Sequence, residues 1–240
     1  MEQKPLILAV ETSGRTGSVA ISLGEQMLSE ARFTGPMRHS TEIFPAIGEL
    51  LERFNRKPKE IEHIYISIGP GSFTGLRIAA ALAKTMHLAN AAKIIAVDTL
   101  DVIAANADDY IRDEKVKGLT RIATILDAKR GQFFIATYQN RQGRWEKSTP
   151  DCLMTAQQFL EDFTGNSQPV WLLGEGLVYY KDKFKTDVTR FLNERYWNPR
   201  AEKVYTLGWQ KALAGQFADP LTLQPLYLRR PDIKEKQDVK

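Results

Sequence analysis

Leu6-Ile7-Leu8-Ala9-Val10-Glu11-Thr12-Ser13-Gly14-Arg15-Thr16-Gly17-Ser18-Val19-Ala20-Ile21-Ser22-Leu23 sets the architecture of this 240-residue chain. Leu6 to Val10 is a short apolar run of the kind that forms a buried strand. It meets a polar, glycine-bearing turn at Glu11 to Gly17. Ser18 to Leu23 then alternates, with Val19, Ile21 and Leu23 on one face, as a half-buried strand does. Gly24-Glu25-Gln26 turns the chain into a third strand near Met27 to Phe33. The same order returns after Thr120. Ile122 to Leu126 is an apolar strand ending in Asp127, and a turn with Gly131 follows. On the return strand Phe133, Ile135 and Thr137 alternate with Phe134, Ala136 and Tyr138, and Asn140 to Gly143 turns the chain towards Trp145. A repeat of this length outranks any single motif.

The parallel extends further. In 39–54, Ile43, Ile47, Leu50, Leu51 and Phe54 fall at helical spacing, an amphipathic helix that includes Pro45. His63 to Ile68 reads as a strand, followed by a glycine-rich turn and an alanine-rich helix over 76–89. In the second half Thr155 to Phe163 reads as a helix and Val170 to Leu173 as a strand, with Gly174-Glu175-Gly176 opening a turn before Leu177 to Phe184. Strands alternating with helices imply sheets covered by helices, an α/β fold of two similar lobes. The polar stretch Asp108 to Lys117 reads as the break, giving lobes over 1–107 and 118–240. Segment 200–217 reads as a helix stopped by Asp219-Pro220, which closes the second half or packs back between the lobes.

Composition narrows the class. Apolar residues make up 43% and charged residues 26%, proportions of an ordinary globular protein. No run approaches the length of a membrane span, and the amino terminus enters a strand with no secretory h-region. Cys152 is the single cysteine, so neither an internal disulfide nor a cysteine-rich zinc framework can form. The expectation is a cytoplasmic protein. The net charge of +4 is spread along the chain, and 229–240 mixes both signs as a solvated end does. Such an excess does not by itself mark a nucleic-acid binder.

The sharpest local signal is Gly69-Pro70-Gly71-Ser72-Phe73-Thr74-Gly75-Leu76-Arg77, between a strand and a helix. Ser72 or Thr74 can cap the helix, and free N–H groups at a helix start attract anions. If a phosphate binds, the candidates are Glu11, Thr12 and Ser13 of the first turn with Gly69, Gly71, Ser72, Thr74 and Gly75 of this loop. Known phosphate motifs fail, however: a Walker loop requires Lys after its last Gly, and the dinucleotide fingerprint requires Gly where Thr74 stands. A tight, well-capped turn accounts for the loop equally well. In the helix beyond, Ala79, Ala80, Ala81 and Ala83 allow close approach of another helix, and Arg77, Lys84 and His87 fall along one edge.

Leu8-Ala9-Val10-Glu11-Thr12-Ser13 with Thr16-Gly17-Ser18-Val19-Ala20-Ile21 resembles the opening hairpin of the TsaB (YeaZ) family. His39-Ser40-Thr41 with Pro45 is similar to that family's next helix. The nine-residue glycine loop resembles its signature, Asp127-Ala128-Lys129-Arg130-Gly131 its second-lobe turn, and Pro225-Leu226-Tyr227-Leu228-Arg229 its carboxyl-terminal segment. The resemblance implies a duplicated actin-like fold of the sugar-kinase, Hsp70 and actin type. It implies a cytosolic subunit without catalytic residues that pairs with TsaD, a catalytic paralogue, and acts with the ATPase TsaE and with threonylcarbamoyl-adenylate from TsaC. Together they modify tRNA at the adenosine beside the anticodon. In the family the two first-lobe helices contact TsaD, or form a homodimer when the subunit is alone. The interface candidates here are accordingly His39, Ile43, Ile47, Leu50, Phe73, Leu76, Arg77, Ala80, Ala81, Lys84 and His87. No intrinsic cofactor is expected; ATP or ADP would be held weakly or within the complex, and tRNA would be met through it.

Where TsaD carries a His-Met-Glu-Gly-His metal motif, this chain reads Thr99-Leu100-Asp101-Val102-Ile103. A hydroxyl and a branched alkane stand for two imidazoles, so no metal site is expected. His39, His63 and His87 show no ligand spacing and read as surface or helix-edge residues. Two other readings stay open. An autonomous actin-like phosphotransferase or ATPase would place Glu11 and Asp127 at metal and nucleotide. A tRNA-binding module would need a concentrated basic patch interleaved with aromatics, which the sequence lacks.

Overall fold

A computed structural model describes residues 4–165 and 168–229; of the solvated end read over 229–240, all but Arg229 lies outside them. The first sheet is built from β1 (Leu6–Glu11), β2 (Ser18–Leu23), β3 (Gln26–Arg32), β4 (Ile61–Gly69) and β5 (Lys93–Asp98), in the order β3-β2-β1-β4-β5. The hairpin strands pair antiparallel, whereas β1, β4 and β5 run parallel. The second contains β6 (Arg121–Asp127), β7 (Gln132–Arg141), β8 (Arg144–Thr155), β9 (Val170–Leu173) and β10 (Thr189–Phe191). Its order, β8-β7-β6-β9-β10, has the same directions in the same places. Two copies of one topology make this the duplicated, two-lobe α/β arrangement that the resemblance implies.

β1 is buried along its whole length because both sheet faces are covered. Leu6, Leu8 and Val10 point to α1 (His39–Arg53) and α2 (Phe73–Asn90), which bring Ile43, Ile47, Leu50, Ala79 and Ala83. The alternate residues Ile7 and Ala9 meet Ala201, Val204 and Tyr205 of α7 (Ala201–Leu213). α1 runs unbroken through Pro45, which forgoes one backbone hydrogen bond there. α2 begins three residues before the expected 76, because Ser72 accepts a hydrogen bond from the Gly75 N–H at 3.3 Å and caps the helix.

Two expectations need correction. Most of Asp108 to Lys117 is not a linker but part of α4 (Asn106–Glu114), which follows α3 (Thr99–Ala104). Asp109 is matched from far along the chain and from its own helix: it accepts from the Lys203 ammonium at 2.7 Å and from Arg112 at 2.9 Å. Nor does segment 200–217 close the second half. It forms α7, which lies on the first sheet over β1, β2, β4 and β5 because its apolar stripe matches that sheet's uncovered face. The second sheet is covered by α3 on one side, and by α5 (Ala156–Phe163), α6 (Leu177–Tyr180) and Phe184 on the other. Thr155 and Gln158 form a reciprocal capping box at the start of α5.

Candidate functional site

Four turns converge between the sheets. At the end of β1, Glu11 is fully buried, and its Oε1 accepts hydrogen bonds from the Ser13 N–H and Oγ, both at 2.5 Å, and from the Gly14 N–H at 3.3 Å. Burial raises its carboxyl pKa against the pull of those donors. The glycine loop zips onto this turn. Ser72 N–H donates to the Ser13 carbonyl at 2.7 Å and Thr12 Oγ1 to the Gly75 carbonyl at 2.7 Å. A Cβ on Gly71 would lie 2.5 Å from the Ser13 carbonyl oxygen, and one on Gly75 would overlap that of Thr12. These glycines therefore serve close approach of the chain to itself.

The third turn brings Glu175. Both its oxygens accept from the Arg15 N–H, at 3.0 and 2.8 Å, so a carboxylate of the second sheet's loop grips the first lobe's turn. Burial pushes its pKa up to about 7; the Arg15 N–H opposes the rise and the charge of Glu11 adds to it. Arg15 reaches back, donating to Tyr179 Oη at 2.6 Å with its guanidinium 5.0 Å from that ring's centre. The fourth turn follows β6. Asp127 accepts from the Lys129 N–H at 2.7 Å and pairs with the Lys129 ammonium at 2.6 Å.

A carboxyl-terminal strap crosses these turns. Leu226 N–H donates to the Ile68 carbonyl at 2.7 Å, and its own carbonyl oxygen lies against Gly69, at 2.6 Å from where a Cβ would stand. Tyr227 lies on Phe73, ring centres 5.0 Å apart, and the Arg77 guanidinium sits 3.8 Å from the centre of the Phe73 ring. Arg229 donates to the Ala128 carbonyl and to Gln132 Oε1. Together the turns and strap line an inter-lobe cleft of about 780 Å³. Of the phosphate candidates, Ser13, Gly71 and Ser72 line it; Glu11, Thr12, Gly69, Thr74 and Gly75 do not.

The interface candidates divide. His39, Ile43, Ile47, Leu50, Leu76 and Ala80 are buried in their own lobe, as the inward stripes of α1 and α2. Ala81 and Arg77 are exposed, and Phe73, Lys84 and His87 partly so. A surface on these helices is thus drawn from the opposite stripe, where Phe44 is 64% and Leu88 85% exposed. His39 is no surface residue: its Nε2 lies 3.0 Å from the Gly14 carbonyl, and burial lowers its pKa. His63 and His87 are half-buried.

On the frame of the paralogue's metal motif, Thr99 and Ile103 are buried. Asp101 meets the Lys147 ammonium at 2.8 Å and Tyr138 Oη at 2.8 Å. Asp98 and Asp151 join the same ammonium at 3.3 and 2.5 Å, tying β8 to the end of β5. Among the described residues no group of three His, Cys, Asp or Glu side chains is placed to hold a metal ion. Sequence reasoning missed Glu175, Tyr179 and Lys147. For Glu175 the available signal was a lone charge between two glycines within an apolar stretch.

The family model for TsaD, tRNA N6-adenosine threonylcarbamoyltransferase, matches residues 35–231. The chain is 31% identical to the tRNA threonylcarbamoyladenosine biosynthesis protein TsaB of Bacillus subtilis strain 168, over 96% of each chain. It is 25% identical to TsaB of Escherichia coli K12, over 93% of this chain and 94% of that one. In fold it is similar to YeaZ from Pseudomonas aeruginosa, with a TM-score of 0.78 at 21% identity over 93% of this chain and 100% of that one. No helix among the described residues is long and apolar enough to cross a membrane. A TsaD-type family match over most of the chain, with full-length likeness to TsaB proteins, places this chain in the TsaB (YeaZ) family of tRNA threonylcarbamoyladenosine biosynthesis.

Proposed function

We propose that this chain is the non-catalytic partner subunit of the complex that makes N6-threonylcarbamoyladenosine on tRNA. In this reading it binds and activates a TsaD subunit, which transfers threonylcarbamoyl from threonylcarbamoyl-AMP to the adenosine next to the anticodon. TsaE joins the larger assembly, tRNA is met through it, the chain alone forms a homodimer, and the work is done in the cytoplasm. The observation that carries the reading is the outward stripe of α1 and α2: Phe44 and Leu88 are large apolar side chains in water, with small Gly48 and Ala81 also exposed. Exposed apolar surface beside small residues suits a close helix-to-helix contact with another chain.

Activation without chemistry requires only that the partner's active state be bound more tightly than its inactive one. The zipped glycine loop speaks against an autonomous phosphotransferase, since its glycines are filled by Ser13 and Thr12 backbone. So does Glu11, held inside the lobe rather than at the cleft.

Co-purification with TsaD, followed by a threonylcarbamoylation assay with and without this chain, tests the proposal. Product is expected only when both are present; full product from TsaD and TsaE alone would overturn it. Ala81→Trp is expected to weaken pairing about five-fold to one-hundred-fold, because bulk at a close contact costs about 1–3 kcal/mol. Ala80 is unsuited to that test, being only 8% exposed and turned inward.

A further inference from the structure

The mouth of the inter-lobe cleft has chemistry that subunit pairing does not use. Tyr179, from the second lobe, is 67% exposed, and its ring is held in place by the Arg15 guanidinium rather than buried. Tyr227, from the strap, is 36% exposed, with one face on Phe73 and its hydroxyl 3.4 Å from Arg77 Nε. Both rings line the cleft, as do the exposed Arg15, Lys129 and Arg130. The acids there are already engaged. Asp127 is paired with Lys129, and Glu175 is held by the Arg15 N–H with its pKa raised to about 7, so it carries only part of a charge near neutrality. The mouth is therefore net basic, with fixed aromatic faces in water.

We propose that this cleft mouth is a docking site for single-stranded RNA. Tyr179 and Tyr227 offer platforms on which unpaired bases stack, and Arg15, Lys129 and Arg130 meet the phosphates. Interleaved cations and exposed rings complement a polyanion with planar bases, and the exposed Lys129 is of a type depleted at protein interfaces. One platform belongs to the second lobe and the other rests on Phe73 of the first, so a bound strand bridges the lobes. A duplex is a poor occupant because its bases stay stacked on each other. The choice of RNA over other polyanions rests on the proposed function, while the choice of a stacked, phosphate-bearing strand rests on the cleft.

The test is fluorescence anisotropy of a labelled, unstructured oligoribonucleotide of about eight nucleotides, titrated with the full chain at low and moderate salt. Saturable binding that weakens as salt rises is expected. Tyr179→Ala is expected to weaken binding about ten-fold, the effect of losing one stack. Lys129→Ala with Arg130→Ala is expected to reduce the salt dependence. Thermal melting checks that each variant is folded; Lys129 and Arg130 lie on an exposed turn, so the second test stands even if the first variant melts early. No saturable binding, equal binding of a blunt RNA duplex, or unchanged affinity in both variants would overturn the site. Binding of ATP with none of the oligonucleotide would assign the cleft to a mononucleotide and also overturn it. Loss of the oligonucleotide with TsaD co-purification intact would sink the docking site and leave the proposed function standing. Loss of co-purification with oligonucleotide binding intact would sink the function and keep the site.

Discussion

At the end of β1, Glu11 is sealed inside its lobe, and the glycine loop folds down over the turn that follows. At the corresponding end of β6, Asp127 faces the cleft and holds Lys129, whose side chain is 81% exposed. A Cβ on Gly131 of that second turn would meet nothing within 4 Å. The same strand, acid, turn and strand are thus a closed corner in one lobe and an open one in the other. The difference lies in what packs on top: α1 and the glycine loop over the first, the 174–176 turn and the tip of the strap over the second, which leave Lys129 and Gly131 open. Duplication fixed the backbone path and left each corner's side chains free to take up structural or surface duties.

The comparison breaks most readily at its glycines. Gly75→Ala puts a methyl into the Thr12 carbonyl, where only backbone could yield. It is expected to cost about 3 kcal/mol of unfolding free energy in urea. Gly131→Ala meets open space, and only its left-handed φ of 72° opposes the substitution, for about 1 kcal/mol. Equal losses would mean that the two corners are packed alike.

Glu175, which joins the corners, gives the next effect. Its folded-state pKa is raised to about 7, so between the usual carboxylate range and 7 the folded chain holds a proton that the unfolded chain has released. Stability contributed by this group therefore falls as pH rises through that window, by about 3 kcal/mol in all. Glu175→Gln cannot titrate. The difference between variant and native unfolding free energies is expected to move in the variant's favour from pH 5 to pH 8, and a pH-independent difference would show that Glu175 titrates normally.

The two-lobe plan was legible because Leu6 to Val10 and Ile122 to Leu126 carry it in local pattern, and covered strands need continuous apolar runs. What was hidden depends on contacts far along the chain. α4 reads as a linker since its Asp109 is satisfied by Lys203, ninety-four residues away. Glu175 looks like a turn residue until Arg15, one hundred and sixty residues earlier, closes on it. His39 reads as a helix-start histidine, and only the fold puts it against the Gly14 carbonyl. For the site, composition spread the basic residues along the chain, and the turns gathered Arg15, Lys129 and Arg130 beside two tyrosines.

The smallest effect belongs to the open corner's own acid. Asp127→Asn removes the ion pair with Lys129 but keeps an oxygen able to accept the Lys129 N–H, so the turn retains its local hydrogen bond. An exposed pair of this kind contributes under about 1 kcal/mol, and the loss expected in urea is about 0.5 kcal/mol or less. The same change removes the one acid that neutralises Lys129 at the cleft mouth, so oligoribonucleotide affinity is expected to rise slightly while stability barely moves. A loss of stability comparable to that of Gly75→Ala would show that the second corner is as closed as the first, and the contrast between the lobes would fall.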